Sequence, residues 1–250
     1  MMQLKQVALV AGELAPVREK IFDILGIKAD YNDPGVGEFG LCNSVMSIGE
    51  TFLEVVSPKE AGTTADRLLE RRGGDGGYMV LALVDNIKDV SKRIVDQQMR
   101  KVWEVDREDV SAFHVHPKDI GAAIVSFDEM RPSNEWLWAG PSWRDRKSSN
   151  VGGITAVDVQ AEQPEAIARK WAAAFGRNFH LEGDVLCMPL DDGEIRFVKA
   201  IDGRGDGISA VEFSVTDRSA IRAAAKHHRL IWSGNQITVC GTHFRFRDPG

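Results

Sequence analysis

The chain has few cysteines, few tyrosines, no excess of basic charge and no long apolar run. Its three cysteines, Cys42, Cys187 and Cys240, stand far apart with no CxxC or CxH spacing. That pattern offers no disulfide framework or cysteine-based zinc site and points to buried free thiols in a reducing compartment. The formal net charge is −6, from 31 Lys and Arg against 37 Asp and Glu. Nucleic-acid and anionic-membrane surfaces need clustered Lys and Arg, so neither partner is expected. No apolar stretch approaches membrane-spanning length. The opening Met1-Met2-Gln3-Leu4-Lys5-Gln6 lacks the charged-then-apolar pattern of a signal peptide, which makes a cytoplasmic location the expectation. No Gly-x-Ser-x-Gly nucleophile elbow occurs. The glycine-rich Gly73-Gly74-Asp75-Gly76-Gly77 precedes a strand and lacks a phosphate-loop lysine, so it reads as a flexible connection.

What is present is ordinary globular material. With 250 residues, 43% of them apolar, the chain can build one large domain or two of usual size. One coarse pattern recurs four times: a strand, an amphipathic helix, then further strands. The first unit opens with a strand at residues 4–10, a helix to about Leu25 stopped by Gly26, and two strands, 41–48 and 51–56, joined at Gly49-Glu50. The second opens at 78–84 with a helix from about Ile87 to Met99, then strands near 102–105, 112–116 and 122–127. The third starts at 154–159 with a helix at 164–175, and the fourth at 208–215 with a helix at 217–227. Residues 130–152, rich in Trp, Ser, Pro and Gly, separate the two pairs of units. The expected domains are residues 1–130, a Trp-rich linker 131–150, and residues 151–250. Gly203-Arg204-Gly205-Asp206-Gly207 sits in the second pair where Gly73–Gly77 sits in the first.

Four segments carry a resemblance. His116-Pro117-Lys118-Asp119-Ile120-Gly121-Ala122-Ala123-Ile124-Val125-Ser126-Phe127 resembles the last hairpin of methylmalonyl-CoA epimerases. Lys5-Gln6-Val7-Ala8, Glu54-Val55-Val56-Ser57-Pro58 and Gly77-Tyr78-Met79-Val80 are similar to three other segments of that family. The family belongs to the glyoxalase-like, vicinal-oxygen-chelate superfamily. The resemblance implies an α+β fold of two tandem glyoxalase-like domains, each from paired βαβββ units whose strands curl into an open cup. It covers residues 4–130 well and is weaker over 151–248.

In that superfamily four cup-facing positions hold a divalent cation. The resemblance places them at Gln6, Glu54, Met79 and Ser126, where relatives carry roughly two His and two carboxylates or amides. A thioether and a hydroxyl are poor donors for zinc or a hard cation, so no metal and no cofactor is expected. In the second domain the matching positions are Ala156, Arg196, Ala210 and one near Arg245, which cannot hold a cation. Arg196 either binds an anion or pairs with an acid such as Glu212.

Strand geometry adds neighbours. Across the Gly49-Glu50 turn Val45 opposes Glu54 and Asn43 opposes Val56, which turns Asn43 into the cup beside Glu54. Ser126 facing inward implies that Ile124 and Asp128 do too, with His114 and His116 on the neighbouring strand. A carboxylate flanked by Phe52, Leu53, Val55 and Val56 is uncommon unless paired or useful, and Glu54 reads as functional. His116 reads as structural, and His114 is open between the two. Asn43 has a plain alternative in satisfying backbone groups, as Tyr78 and Met79 have in forming an apolar wall. Trp136, Trp138 and Trp143 form either a clasp between domains or a wall over a bulky ligand.

The expected function is a metal-independent isomerase or lyase acting beside a carbonyl of a small organic substrate. Glu54 is the general base, Asn43 and Ser126 orient or polarise, and Gln6, Tyr78, Met79, His114, Trp136 and Trp138 contact substrate. A non-catalytic, drug-sequestering protein of the same fold is the alternative, and a metal-dependent enzyme with a rearranged site around His114 the third. A small molecule is the expected partner, and a homodimer is compatible with the sequence.

Overall fold

The computed structural model describes residues 1–248. Its strands form two seven-stranded mixed sheets. The first contains β1 (Met2–Val10), β2 (Leu41–Ile48), β3 (Thr51–Pro58), β4 (Gly76–Val84), β5 (Lys101–Asp106), β6 (Val110–Val115) and β7 (Ile124–Met130), in the order β2-β3-β1-β4-β7-β6-β5. The second contains β8 (Val151–Ala161), β9 (His180–Glu182), β10 (Val185–Pro189), β11 (Glu194–Lys199), β12 (Gly207–Val215), β13 (Gln236–Val239) and β14 (Thr242–Arg247), in the order β13-β14-β12-β8-β11-β10-β9. The expected α+β architecture of two tandem glyoxalase-like domains holds, and the fourfold repeat is its basis. The first and fourth units each have three strands where the pattern has four. In the first, a single bridge between Tyr31 and Val45 stands at the place of the outermost strand.

The helices form where apolar residues recur on one face. Helix α1 (Leu14–Leu25) buries Val17, Ile21, Ile24 and Leu25 and stops at Gly26. Helix α2 (Thr64–Arg72) is capped by the Thr63 hydroxyl, and α3 (Ile87–Asp96) by the Asn86 side chain. A single turn, α4 (Pro117–Ile120), leads into β7. Helix α5 (Pro164–Phe175) begins with proline and buries Trp171 and Phe175, and α6 (Arg218–His227) is capped by Asp217.

The two faces of the first sheet have separate duties. Leu4, Val7, Leu9, Leu53, Val55, Val80 and Val125 alternate onto the outer face, where one apolar core continues into the second sheet through Val157, Val159, Ile208 and Phe213. Helix α1 packs on α6 and α3 on α5 around it. The remaining alternation points Ala8, Val10, Phe52, Val56, Leu81 and Ala112 to the inner face, in a second cluster that also takes in Ala65 and Leu68 of α2 and the segment that follows the sheet. Trp136 and Trp143 lie there fully buried, with Trp138 packed against the cluster. Trp136 stacks on Phe52 at 6.0 Å and Trp143 meets its edge at 5.1 Å. The tryptophan-rich segment therefore closes over the first sheet, in two 3₁₀ turns, and the reading of it as a clasp between domains is corrected. Its apolar residues had no domain interface left to cover, because the outer faces already fill it.

The glycine-rich connections are pinned to each other. The Arg72 guanidinium donates to the carbonyls of Arg204, Gly205 and Asp206, and Arg204 donates in return to those of Arg72, Gly74 and Asp75. The expectation of a flexible connection is thereby corrected, since each loop supplies the other's polar partners. Close approach is also why Gly77 carries no side chain: a Cβ there would lie 2.2 Å from Cβ of Ile208 on β12. Gly77→Val should force β4 and β12 apart and cost at least about 2 kcal/mol, read as a lower urea midpoint with the m-value unchanged.

Candidate functional site

The inner face of the first sheet borders a cavity of about 610 Å³. Register explains its floor. In one row Glu54 on β3 lies beside Ala8 on β1, Met79 on β4 and Ile124 on β7, and in the next Gln6 lies beside Leu81 and Ser126. The tight turn of β2 and β3 puts Val45 opposite Glu54 and Asn43 opposite Val56. A bulge in β4 between the pairs Ala8–Met79 and Leu9–Gly77 leaves Tyr78 unopposed, so Tyr78 and Met79 both face the cavity. Strict alternation would send one of them away.

Glu54 is 7% exposed. Its two oxygens are held separately: Asn43 Nδ2 donates to Oε1 at 2.6 Å and Gln6 Nε2 to Oε2 at 2.9 Å. Each amide is itself fixed. Trp136 Nε1 donates to Gln6 Oε1 at 2.6 Å, and the Asp33 backbone N–H donates to Asn43 Oδ1 at 2.9 Å. Burial pushes the Glu54 carboxyl up to about 7; the Asn43 and Gln6 bonds oppose the rise and the charge of Asp33 adds to it. Burial, and then the charge of Glu54, pushes the Tyr78 phenol up to about 12, so it stays protonated. Burial pulls the His114 imidazole down to about 4. That ring lies 4.4 Å from Trp103 and 6.1 Å from Phe39, a neutral member of an aromatic wall.

Of the residues singled out from sequence, Gln6, Glu54, Tyr78, Met79, His114 and Trp138 line the cavity. Asn43 and Trp136 act from behind its wall through the bonds just described. Ser126 is fully buried with its hydroxyl directed at the Phe113 carbonyl, 3.5 Å away. His116 caps α4, its Nδ1 accepting from the Lys118 N–H at 3.0 Å.

Asp128 was not among the candidate residues, although the alternation from Ser126 already directed it inward. It is fully buried, accepts from Trp138 Nε1 at 2.8 Å on Oδ1, and has no partner on Oδ2. Burial pushes it up to about 7, against the Trp138 hydrogen bond and the nearby Ser126 hydroxyl, which itself is directed at Phe113. An acid two residues past a recognised position was the available signal.

A divalent cation does not fit this donor set. Both Glu54 oxygens face amide N–H donors, the Gln6 carbonyl is taken by Trp136, and Ser126 is turned away. The clusters of three His, Cys, Asp or Glu ligand atoms among the described residues are Asp23-His227-His228 and Glu182-Cys187-Glu194, neither of them in the cavity. In the second domain the charged residues at the equivalent positions are ion-paired. Arg196 donates to Asp158 at 2.7 Å and to Glu212 at 3.2 Å, while Arg245 takes the other Asp158 oxygen. Of the two sequence readings of Arg196, pairing with Glu212 is the one observed.

No protein-family model and no curated protein matches the chain. Solved structures do. A hypothetical protein from Staphylococcus aureus superposes over 100% of both chains with TM-score 0.69 at 14% identity. A mutant of 4-hydroxymandelate synthase from Streptomyces coelicolor covers 98% of this chain and 92% of its own, with TM-score 0.70 at 13% identity. Methylmalonyl-CoA epimerase from Mycobacterium tuberculosis aligns with 51% of this chain and 87% of its own at 18% identity, TM-score 0.45. At these identities the likeness establishes the fold: this is a vicinal-oxygen-chelate fold, carried twice. No helix among the described residues is long and apolar enough to cross a membrane.

Two measurements test the electrostatics. Asn43→Ala removes a bond that favours the ionised form, so the Glu54 midpoint should move above 7 in a carboxyl NMR titration. Between the ordinary carboxyl value of 4.5 and the folded value near 7, the folded chain binds the proton more tightly than the unfolded one. The Glu54 contribution to stability therefore falls as pH rises through that window. Glu54→Gln removes the penalty, and its stability relative to the parent should rise by up to about 3 kcal/mol between pH 4 and pH 8 in urea titrations.

Proposed function

We propose that the chain is a metal-independent isomerase or lyase in which Glu54 removes a proton beside the carbonyl of a small organic substrate. One observation carries this reading: the buried Glu54 carboxyl, set in place by two amides and raised to about 7, borders an apolar cavity. A base with a proton affinity near neutrality is half ionised at working pH and strong enough to take a carbon-bound proton. The abstracted proton rests on Glu54, and the electron pair moves to the carbonyl oxygen as an enolate. Tyr78, protonated and on the cavity wall, is the donor suited to that oxygen. Return of the proton elsewhere gives isomerisation, and departure of a β-substituent gives elimination. Asn43 and Gln6 are positioning residues that aim the carboxylate, and the aromatic wall excludes water.

The second reading, a sequestering protein, draws on the same aromatic wall of Trp103, Trp138, His114 and Phe39. Glu54 separates the two. In deuterated buffer, a panel of ketones, carboxylic acids and thioesters followed by proton NMR should show solvent exchange at one carbon of a turned-over compound. Glu54→Gln should lower that rate by a factor of about 10² to 10⁴, and in the parent the rate should climb with pH to a plateau, with a midpoint near 7. Binding without exchange, unchanged in Glu54→Gln, would establish sequestration.

A further inference from the structure

The two cups hold carboxyl groups in opposite ways. In the second, Asp158 and Glu212 are clamped by Arg196 and Arg245. In the first, Glu54, Asp128, Asp33 and Glu38 all border the cavity, and their hydrogen-bond partners are neutral. Gln6 and Asn43 serve Glu54, Trp138 serves Asp128, Trp103 serves Glu38 at 2.8 Å, and the Gly35 N–H serves Asp33. The cations of the wall are engaged elsewhere or lie at the rim. Arg67 donates to the Gly62 carbonyl and Thr64, and exposed Arg107 pairs with Asp109 at 3.4 Å, with its guanidinium 5.9 Å from the Trp138 ring. Lys118 is exposed, and His114 is held neutral.

Asp128 is the group this leaves unmatched. It is 0% exposed and its Oδ2 has no partner, an arrangement that costs free energy unless something supplies a donor. Beside it Trp138 and Trp103 lie 6.5 Å apart, nearly edge to face, each giving its indole N–H to a carboxyl group. Donation of the N–H to an acid enriches the ring in electrons and strengthens its hold on a cation.

We propose that the ligand of the first cup is an organic amine whose ammonium group rests on the Trp103 and Trp138 rings and donates to Oδ2 of Asp128. This deepens the reading of Glu54 as a base, because it concerns the other end of the same cavity. Glu54 lies three strand spacings from β7, and Asp128 four residues beyond its row, about 14 Å and 13 Å along a flat sheet. Curling shortens these, but one carbon does not meet both acids. The substrate is an extended molecule with a carbonyl toward Glu54 and an ammonium toward Asp128. A positive charge at that point also draws the Asp128 proton off and restores the carboxylate.

Isothermal titration of the full chain with benzylamine, 2-phenylethylamine and tryptamine, each beside its alcohol counterpart, tests this at neutral pH. In the parent protein each amine that binds should do so at least about tenfold more tightly than its alcohol, the worth of a charge-assisted bond. Asp128→Asn should bring the pair within about twofold while leaving the alcohol unchanged, and Glu54→Gln should keep the amine preference. Amines bound no better than alcohols by the parent protein, or an amine preference surviving Asp128→Asn, overturns the proposal. The parent comparison needs no variant to fold. It also leaves the role of Glu54 to the exchange assay, so either idea can fail alone.

Discussion

Keeping a carboxyl group out of water is the constraint around which the first domain is arranged. Glu54 sits among apolar neighbours at 7% exposure, where an ionised acid with no partners is prohibitively unstable. The chain meets this with a relay of neutral donors drawn from distant segments. Trp136 holds Gln6, Gln6 holds one oxygen, Asn43 holds the other, and the backbone at Asp33 holds Asn43. Each link removes one alternative orientation, so the carboxyl group has one pose, while burial keeps its proton affinity near neutrality. An arginine in place of the amides would neutralise the charge and abolish that affinity.

The second domain shows that other solution. At the place of Glu54 it carries Arg196, which is paired with Asp158 and Glu212, and Arg245 takes the other Asp158 oxygen. Charges matched within the chain leave little for a ligand to do. The first cup keeps its acids unmatched and its interior lined with aromatic rings. The repeat thus gives one scaffold with a cross-linked half and an open half, joined through the outer faces of the sheets and the mutual Arg72 and Arg204 bonds.

Much of this was legible before any coordinates. The row of Val45 opposite Glu54 follows from a two-residue turn and the two-residue period of a strand, and the helices α1 and α5 follow from apolar spacing bounded by Pro and Gly. Several features were not legible. The bulge at Tyr78 breaks the alternation that pattern reading assumes, since an extra residue leaves no mark in composition. The edge bridge at Tyr31 is too short to show a period. The tryptophans announced burial without naming the surface they bury against, because aperiodic apolar residues fit any concave partner. Asp128 had the right parity, but only its depth and its unpartnered oxygen distinguish it from an acid facing solvent.

The sequence by itself determined the four repeats, the strand faces and the presence of an acid on an apolar strand, because these depend on residues close together along the chain. It also determined that the donors for a divalent ion are poor, since donor chemistry travels with residue type. Only the tertiary structure decided that Glu54 is held by Gln6 and Asn43, that Trp136 stands behind Gln6 and Trp138 beside Asp128, and that the acids of the second cup are ion-paired. Those contacts join residues from 10 to 130 positions apart, and their strength comes from exclusion of water, a property of the packed whole rather than of any segment.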